Sequence, residues 1–220
     1  MPFSEHLQVV VFDLDGLMFN TEVLYYDVGT ELLRRRGKQL SQGLLDRMIG
    51  RKSRDALQAM IDWCDLDDDI ETLQQETDEI FTGLLDDRLD TMPGLNELMD
   101  DLDGAGIPMA IATSSRRTLV EMVLGKFDLV PRFAFILTAE DVNRGKPDPE
   151  IYITAAKRHR VSPAQMMVLE DSQAGCRSAV DAGAFTVAVP DTHSRDHDFR
   201  GVAIVADTLK DPRIYEALGL

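Results

Sequence analysis

Acidic side chains, hydroxyl groups and one lysine stand after short apolar segments of this sequence, either directly or beyond a loop. The set consists of Asp13, Asp15, Thr113, Ser114, Ser115, Lys146, Glu170, Asp171 and Ser172. Carboxylates brought to one place repel each other, and a divalent cation with oxygen ligands, commonly Mg²⁺, relieves that repulsion. A lysine and hydroxyl donors opposite the cation would bind a dianion such as phosphate. One carboxylate could then attack phosphorus, while a second could protonate the leaving oxygen and activate water.

Six apolar segments would position these side chains, at residues 9–12, 108–112, 135–137, 166–169, 186–189 and 202–205. Their apolar residues are continuous rather than alternating, which is typical of strands buried on both faces. Helical spacing of apolar residues occurs between them, over residues 95–102, 116–127, 150–159 and 172–182. This alternation predicts an α/β fold, a Rossmann-like parallel sheet with helices on both faces and right-handed crossovers. In such a sheet, ligands bind beyond the carboxyl ends of the strands.

Residues with capping propensity mark the ends of several of these helices. Ser115 is the expected N-cap of the helix that follows it. Asp148 precedes Pro149, a pair that predicts an N-cap and a proline in the first helical position. Gly183 is the expected C-terminal stop of the helix over residues 172–182.

The stretch from residue 20 to residue 90 breaks the alternation, because it contains no convincing strand. Helical spacing predicts four helices there, over residues 22–36, 44–48, 54–63 and 70–85. Basic residues crowd its first half, whereas acidic residues dominate its second half and predict a solvated face. We therefore predict an α/β catalytic core formed by residues 1–19 and 91–220, with an inserted all-helical cap domain at residues 20–90.

The composition argues against several classes of protein. The 220 residues include 39 Asp and Glu against 23 Lys and Arg, which gives a formal net charge of −16. A field of that sign repels phosphate backbones, although a local pocket can still attract a small anion. Cys64 and Cys176 are too few for a disulfide framework, and we see neither a signal peptide nor a membrane-length apolar run. We expect a cytoplasmic, monomeric protein that binds neither nucleic acid nor membranes.

Each chemical signal has a simpler interpretation when it is taken alone. Acids at loop starts are common helix caps, and an isolated Lys146 would be a solvated surface lysine. The hydroxyls of residues 113–115 could belong to an ordinary helix start. The predicted site depends on the combination, because all of these residues fall at the ends of predicted strands. A non-catalytic binding module is disfavoured, since each polar position of the predicted site holds a residue that can take part in the reaction.

Four motifs in this sequence resemble those of the haloacid dehalogenase superfamily of phosphohydrolases. They are Phe12-Asp13-Leu14-Asp15-Gly16, Ala112-Thr113-Ser114, Gly145-Lys146-Pro147-Asp148-Pro149 and Leu169-Glu170-Asp171-Ser172. The motifs occur in the family's order and span nearly the whole chain. The helical insert resembles the small α-helical cap of the branch that contains sugar-phosphate phosphatases, phosphoglycolate phosphatases and β-phosphoglucomutase.

The resemblance implies a role for each motif residue. Asp13 would be the nucleophile that becomes phosphorylated, and Asp15 would be the general acid and base. Thr113 and the backbone amide of Ser114 would hold the transferring phosphoryl group. Lys146 would bridge that group and the nucleophile.

The resemblance also implies a Mg²⁺ site. Its ligands would be Asp13, the backbone carbonyl of Asp15, Asp171 directly, and Glu170 directly or through water. A true dehalogenase lacks the second aspartate of the first motif, so Asp15 favours phosphoryl transfer.

Two activities remain open within this branch. The mutases usually carry a histidine where this sequence has Tyr25, and residues 20–90 contain no histidine. The Asp-Thr-Glu that usually follows the first motif is also altered, with Asn20 before Thr21. We predict a Mg²⁺-dependent phosphatase of small phosphate monoesters, such as sugar phosphates, that forms an aspartyl phosphate. The alternative is a β-phosphoglucomutase-like mutase, which must exclude water from that intermediate.

Two further polar segments could have a functional role or could simply be solvated. Arg51, Lys52 and Arg54 lie where relatives carry a substrate-contacting loop, and they could bind a second anionic group of the substrate or form a solvated helix start. Residues 193–198 contain His193 and His197, which suggests a metal cluster by composition alone. Because these histidines are not aligned on a helix, we predict a surface loop.

Overall fold

The computed structural model describes residues 6–48, 53–192 and 194–220. The strands in this part of the chain are β1 (Val9–Phe12), β2 (Met109–Ala112), β3 (Ile136–Leu137), β4 (Met166–Glu170), β5 (Phe185–Ala188) and β6 (Ile204–Val205). They form a parallel sheet in the order β3-β2-β1-β4-β5-β6. The strand order therefore reverses between β1 and β4. Open α/β sheets bind their ligands at such a point.

Helices cover both faces of this sheet, and further helices lie in the segment between β1 and β2. The helices of the described ranges are α1 (Thr21–Arg35), α2 (Gln42–Met48), α3 (Ser53–Cys64), α4 (Ile70–Arg88), α5 (Leu95–Ala105), α6 (Arg117–Lys126), α7 (Glu150–His159), α8 (Gln173–Ala182) and α9 (Pro212–Leu218). The predicted α/β class is confirmed. None of the helices within the described ranges has both the length and the apolar character needed to cross a membrane.

The register of the central strands aligns their carboxyl ends. Phe12 of β1 pairs with Ile111 of β2 on one side and with Leu169 of β4 on the other. One residue further on, the backbone N–H of Asp13 donates to the carbonyl of Leu169 at 3.0 Å. The residues that follow these strands therefore emerge at one edge of the sheet.

Alternate residues of the buried strands supply two apolar layers. Val10 and Phe12 pack into the larger layer, which contains residues of α5, α6 and α9 and of the helices between β1 and β2. Val9 and Val11 pack into the smaller layer with residues of α7 and α8. Full burial of a side chain of this size contributes about 1.5–3 kcal/mol, so the continuous apolar runs predicted as strands stabilise both faces.

The helices α1 to α4 occupy the chain between β1 and β2. Asn20 joins the two ends of this segment, since its side-chain amide donates to the carbonyl of Arg88 at 3.0 Å and its side-chain oxygen accepts from the backbone N–H of Asp90 at 2.8 Å. The ring of Phe19 stacks on that of Phe127 in the core, with centroids 5.1 Å apart. These contacts lie near the predicted boundaries at residues 19/20 and 90/91, which stay a prediction.

Two predicted helix caps differ from the structure. Arg116 is the N-cap of α6 and forms no side-chain capping bond, because the hydroxyl of Ser115 is directed elsewhere. Pro149, rather than Asp148, is the N-cap residue of α7, although Asp148 Oδ1 accepts from the backbone N–H of Glu150 at 3.0 Å. Gly183 ends α8 in the left-handed conformation, as predicted.

Candidate active site

Lys146 joins two of the predicted acidic residues at the sheet edge. Its Nζ atom donates to Asp13 Oδ1 at 2.5 Å, to Glu170 Oε1 at 2.6 Å and to the carbonyl of Ala112 at 2.9 Å. An ammonium group has three hydrogens, so each of them has an acceptor. Burial by itself would lower the pKa of Lys146, but the charges of Asp13 and Glu170 outweigh it and raise the pKa. The side chain is therefore a fixed, charged contact of Asp13, not the solvated lysine of the simpler interpretation.

The loop that carries Lys146 is held against the first turn of α7 and the middle of α8. Glu150 in the first turn of α7 accepts from the backbone N–H groups of Asn143 and Arg144, each at 2.9 Å. Further along, the carbonyl of Asp148 accepts from the hydroxyl of Ser178 in α8 at 2.7 Å. These bonds place Lys146 over the ends of β1 and β4.

Asp13, Glu170 and Asp171 form a buried acidic cluster. Each offers a carboxylate oxygen, and these oxygens lie within 4.8 Å of one another. The residues are 6%, 0% and 5% exposed, respectively. Burial raises the pKa of Asp13 well above its ordinary value against the opposing effect of Lys146, and burial followed by the charges of Glu170 and Asp13 raises that of Asp171.

The charge and the donor set of this cluster fit Mg²⁺. Three carboxylates and one lysine leave two uncompensated negative charges in a buried place, where an unpaired charge is costly. A divalent cation that prefers oxygen ligands would neutralise them. The side chain of Asp15 lies outside the cluster, which is compatible with its predicted contribution through the backbone carbonyl.

Glycines allow the carboxylates to lie this close to the backbone. A Cβ atom on Gly16, whose φ is +77°, would come within 2.7 Å of Asp171 Oδ2. A Cβ atom on Gly175 would lie 1.8 Å from Glu170 Oε1. Any side chain at either position would occupy space that the carboxylates now hold.

Asp15 is held by hydroxyl groups from the end of β2. Its Oδ2 atom accepts from Ser115 Oγ at 2.6 Å and from Thr113 Oγ1 at 3.2 Å. Its Oδ1 atom is buried and has no hydrogen-bond partner among the described residues. Asp15 therefore has one anchored oxygen and one without a partner among the described residues, and carboxyl groups are common proton donors and acceptors in catalysis.

Tyr25 approaches this acid from helix α1. Its ring lies 5.1 Å from that of Phe81, and its hydroxyl interacts with Ser115. Burial, followed by the charge of Asp15, raises the pKa of Tyr25 well above its ordinary value. Tyr25 occupies the position at which the mutases usually carry a histidine. Its neutral phenol lies beside Ser115, the residue that donates to Asp15.

A cavity of about 910 Å³ opens over the acidic cluster. Asp13, Asp15, Thr113, Ser114, Lys146 and Asp171 line one end of it. Helices α1 to α4 line the other end, with apolar residues such as Leu45 and Met60. The predicted catalytic and phosphate-binding residues thus share one cavity with the predicted cap segment.

The predicted substrate-binding residues have a different placement. Arg54 forms an ion pair with Glu71 at 3.0 Å, its side chain is 70% exposed, and it is not among the described residues that line the cavity. Arg51 and Lys52 lie outside the described residues. The structure therefore does not bring Arg54 together with Asp13, and the role of this segment stays a prediction.

Several cavity residues were not predicted from the sequence. Glu22 in the first turn of α1 lines the cavity, and burial together with the charges of Asp15 and Asp191 raises its pKa to about 8. His197 also lines it, and the backbone N–H of Gln173 donates to the Nδ1 atom of this histidine at 3.4 Å. The loop predicted as a plain surface loop therefore forms part of the cavity wall, while His193 lies outside the described residues. An acidic residue in a predicted first helical turn was the available signal for Glu22. For His197 the available signal was the composition of residues 193–198, although the lack of helical alignment predicted only a surface loop.

The sheet order and the acidic edge are typical of open α/β folds that bind a ligand beyond the carboxyl ends of their strands. Residues 10–189 match the family model described as haloacid dehalogenase-like hydrolase. This chain belongs to the haloacid dehalogenase-like hydrolase family, as its motifs predicted.

Named relatives of the chain include phosphatases, and a mutase is among the solved structures that share its fold. The phosphorylated carbohydrates phosphatase of Thermotoga maritima is 29% identical over 177 residues, which cover 80% of this chain and 82% of the relative. The validoxylamine A 7'-phosphate phosphatase of Streptomyces hygroscopicus subsp. limoneus is 31% identical over 196 residues, which cover 86% and 88%. The crystal structure of β-phosphoglucomutase from Clostridium difficile shares the fold, with a TM-score of 0.81, 22% identity and coverage of 97% of each chain.

Proposed function

We propose that this protein is a Mg²⁺-dependent phosphatase that hydrolyses small phosphate monoesters through an aspartyl phosphate on Asp13. The observation that carries the proposal is the pairing of two carboxylates in one cavity. Asp13 is clamped by Lys146, and Asp15 keeps one buried oxygen free of partners among the described residues. A nucleophile and a separate acid and base are the two groups that this reaction requires.

The reaction would proceed in two balanced steps. In the first, a carboxylate oxygen of Asp13 bonds to phosphorus, the bond from phosphorus to the leaving oxygen breaks, and Asp15 gives that oxygen its proton. In the second, Asp15 takes a proton from water while the water oxygen attacks phosphorus, which releases phosphate and restores the carboxylate of Asp13. Asp15 thus returns to its starting protonation state after each turnover.

The phosphoryl group would be held by residues around these two acids. Lys146 would offset charge on the transferring oxygens, and Thr113 with the backbone N–H of Ser114 would bind the remaining ones. Asp13, Glu170, Asp171 and the backbone carbonyl of Asp15 would hold Mg²⁺. When bound, Mg²⁺ supplies positive charge that stabilises the phosphoryl oxygens in the transition state.

The substrate class that we propose is a phosphorylated sugar or a metabolite of similar size. The names of the two phosphatase relatives and the cavity of about 910 Å³ support this choice. Residues 51–54 would contact the leaving group if it carries a second anionic group. Alanine variants of Arg51 and Arg54 that keep the wild-type kcat/KM on the best substrate would end that part of the proposal.

A sugar-phosphate mutase is the competing activity. It would need the aspartyl phosphate to survive until a phosphosugar accepts the phosphoryl group. The phenol of Tyr25 stands where mutases carry a histidine, which favours hydrolysis.

One experiment separates the two activities. Phosphate release is measured from a panel of phosphorylated metabolites with Mg²⁺ or with EDTA, and the panel includes β-glucose 1-phosphate primed with a sugar bisphosphate. Release from one or two esters that is lost in EDTA supports the phosphatase. Conversion of the primed sugar to glucose 6-phosphate without phosphate release would identify a mutase instead.

A further inference from the structure

The hydroxyl group of Tyr152 contacts the acidic cluster from helix α7. Tyr152 lies in the first turn of α7 and is 0% exposed. Its hydroxyl donates to Glu170 Oε1 at 2.6 Å. The same oxygen accepts from Lys146 Nζ at 2.6 Å, and Lys146 Nζ lies 5.2 Å from the centre of the Tyr152 ring. The phenol thus contacts both members of the Glu170–Lys146 ion pair.

The other contacts of Glu170 hold its carboxylate in one orientation. Its Oε2 atom accepts from Ser172 Oγ at 3.1 Å and from the backbone N–H of Ser172 at 3.4 Å. Gly175 leaves the space in which Oε1 lies. With Tyr152 and Lys146 on one oxygen and Ser172 on the other, rotation of the carboxylate would break several hydrogen bonds at once.

Lys146 depends on this anchored carboxylate for its own position. Its three hydrogens are shared among Asp13, the carbonyl of Ala112 and Glu170. If the carboxylate of Glu170 turned, the ammonium group would follow it or lose one of its acceptors. Either change would alter the contact between Lys146 and Asp13.

We infer that Tyr152 is a positioning residue for phosphoryl transfer, which acts through Glu170 to hold Lys146 on Asp13. This inference rests on the proposed function, because it assigns Asp13 as the nucleophile. Tyr152 is not among the described residues that line the cavity, so its hydroxyl acts on the reaction through Glu170 and not on the leaving group. Packing alone does not require the hydroxyl, since a phenylalanine ring would fill the same apolar layer.

The kinetic test compares Tyr152→Phe with Tyr215→Phe, which removes the hydroxyl of a partly buried tyrosine on α9. The assay follows hydrolysis of p-nitrophenyl phosphate and of the best ester from the panel, with saturating Mg²⁺. We expect kcat of Tyr152→Phe to fall about tenfold or more with KM within about twofold of the wild type, while Tyr215→Phe retains both values. An unchanged kcat in Tyr152→Phe, or an equal loss in the two variants, would overturn the inference.

A double-mutant cycle on stability tests the route through Glu170 without using activity. The free energy of unfolding is measured in EDTA for the wild type, Tyr152→Phe, Glu170→Ala and the double variant. We expect loss of the hydroxyl to destabilise the wild type and to have little effect once the carboxylate has been removed. Additive effects would overturn the inference. A wild type that releases no phosphate would refute the proposed function, whereas this cycle would still measure the Tyr152–Glu170 interaction.

Discussion

The hydroxyl of Ser115 donates to Oδ2 of Asp15 at 2.6 Å, and this bond anchors one of the two oxygens of the acid. The other oxygen, Oδ1, is buried without a hydrogen-bond partner in the described ranges of the chain. An unsatisfied buried carboxylate oxygen is costly, and such groups concentrate at functional sites. The arrangement supports a role for Asp15 in proton transfer, because Asp15 lines the same cavity as Asp13.

Asp15→Asn should separate the two steps of the reaction. Hydrolysis of an alkyl phosphate should fall by about 10²- to 10⁴-fold, because the leaving oxygen lacks its proton donor. p-Nitrophenol needs less help to leave, so its release should be less impaired in the first turnover, and phosphorylated Asp13 should accumulate. A rapid-quench burst assay and intact-protein mass spectrometry measure these effects. Equal losses for both esters, without a covalent intermediate, would contradict the assignment.

Asp13→Asn should abolish turnover while the fold remains intact. A carboxamide is not a competent nucleophile, so kcat should fall by roughly 10³-fold or more with every ester. Asp101→Asn, the same change at an exposed position of α5, is the matched control and should retain wild-type activity. Circular dichroism and thermal unfolding would show that both variants fold. Residual activity of Asp13→Asn within tenfold of the wild type would require another nucleophile.

The stabilising effect of Mg²⁺ should increase with pH. In the metal-free protein the pKa values of Asp13 and Asp171 are raised above their ordinary values. The pKa of Glu22 is raised to about 8. The folded state then binds more protons than the unfolded chain, so these groups stabilise the fold at low pH and lose that contribution as pH rises through their folded pKa values. Mg²⁺ favours the ionised carboxylates, so its binding should restore the stability that is lost at high pH.

Thermal unfolding in Mg²⁺ and in EDTA between about pH 5 and about pH 8 tests this expectation. The difference in Tm between the two series should widen toward the upper end of that range. Taking the difference removes the contribution of groups remote from the acidic cluster, such as His159, whose pKa is lowered by burial. A constant difference across the range would argue against a cation at this cluster.

Gly175→Ala and Gly83→Ala should have opposite effects although both glycines lie within helices. A Cβ atom at Gly83 meets nothing within 4 Å, so alanine should stabilise α4 by about 0.5–1 kcal/mol. At Gly175 the added atom would overlap Glu170 Oε1, and the displacement of that carboxylate should cost about 1–3 kcal/mol. It should also lower kcat. Denaturant unfolding and steady-state kinetics measure both effects, and a stabilised, fully active Gly175→Ala would contradict the packing described here.

Local sequence patterns predicted most of the secondary structure, although α9 was not predicted. The strand predicted over residues 9–12 is β1 in full, and the helix predicted over residues 150–159 is α7 in full. The caps were less predictable, because the hydroxyl of Ser115 had two potential uses. It either satisfies the first turn of α6 or bonds to Asp15, and only the position of β1 beside β2 decides between them.

The sequence by itself determined which polar residues stand at the carboxyl ends of buried strands, because the apolar runs that form those strands are local. It therefore predicted the acidic edge around Asp13 and its lysine. Only the tertiary structure decided the partners that set their geometry. The contact between Tyr152 and Glu170 spans 18 residues, and that between Ser115 and Asp15 spans 100 residues. Contacts between residues so far apart in the sequence depend on how the strands and helices pack together. No local periodicity or capping pattern encodes them.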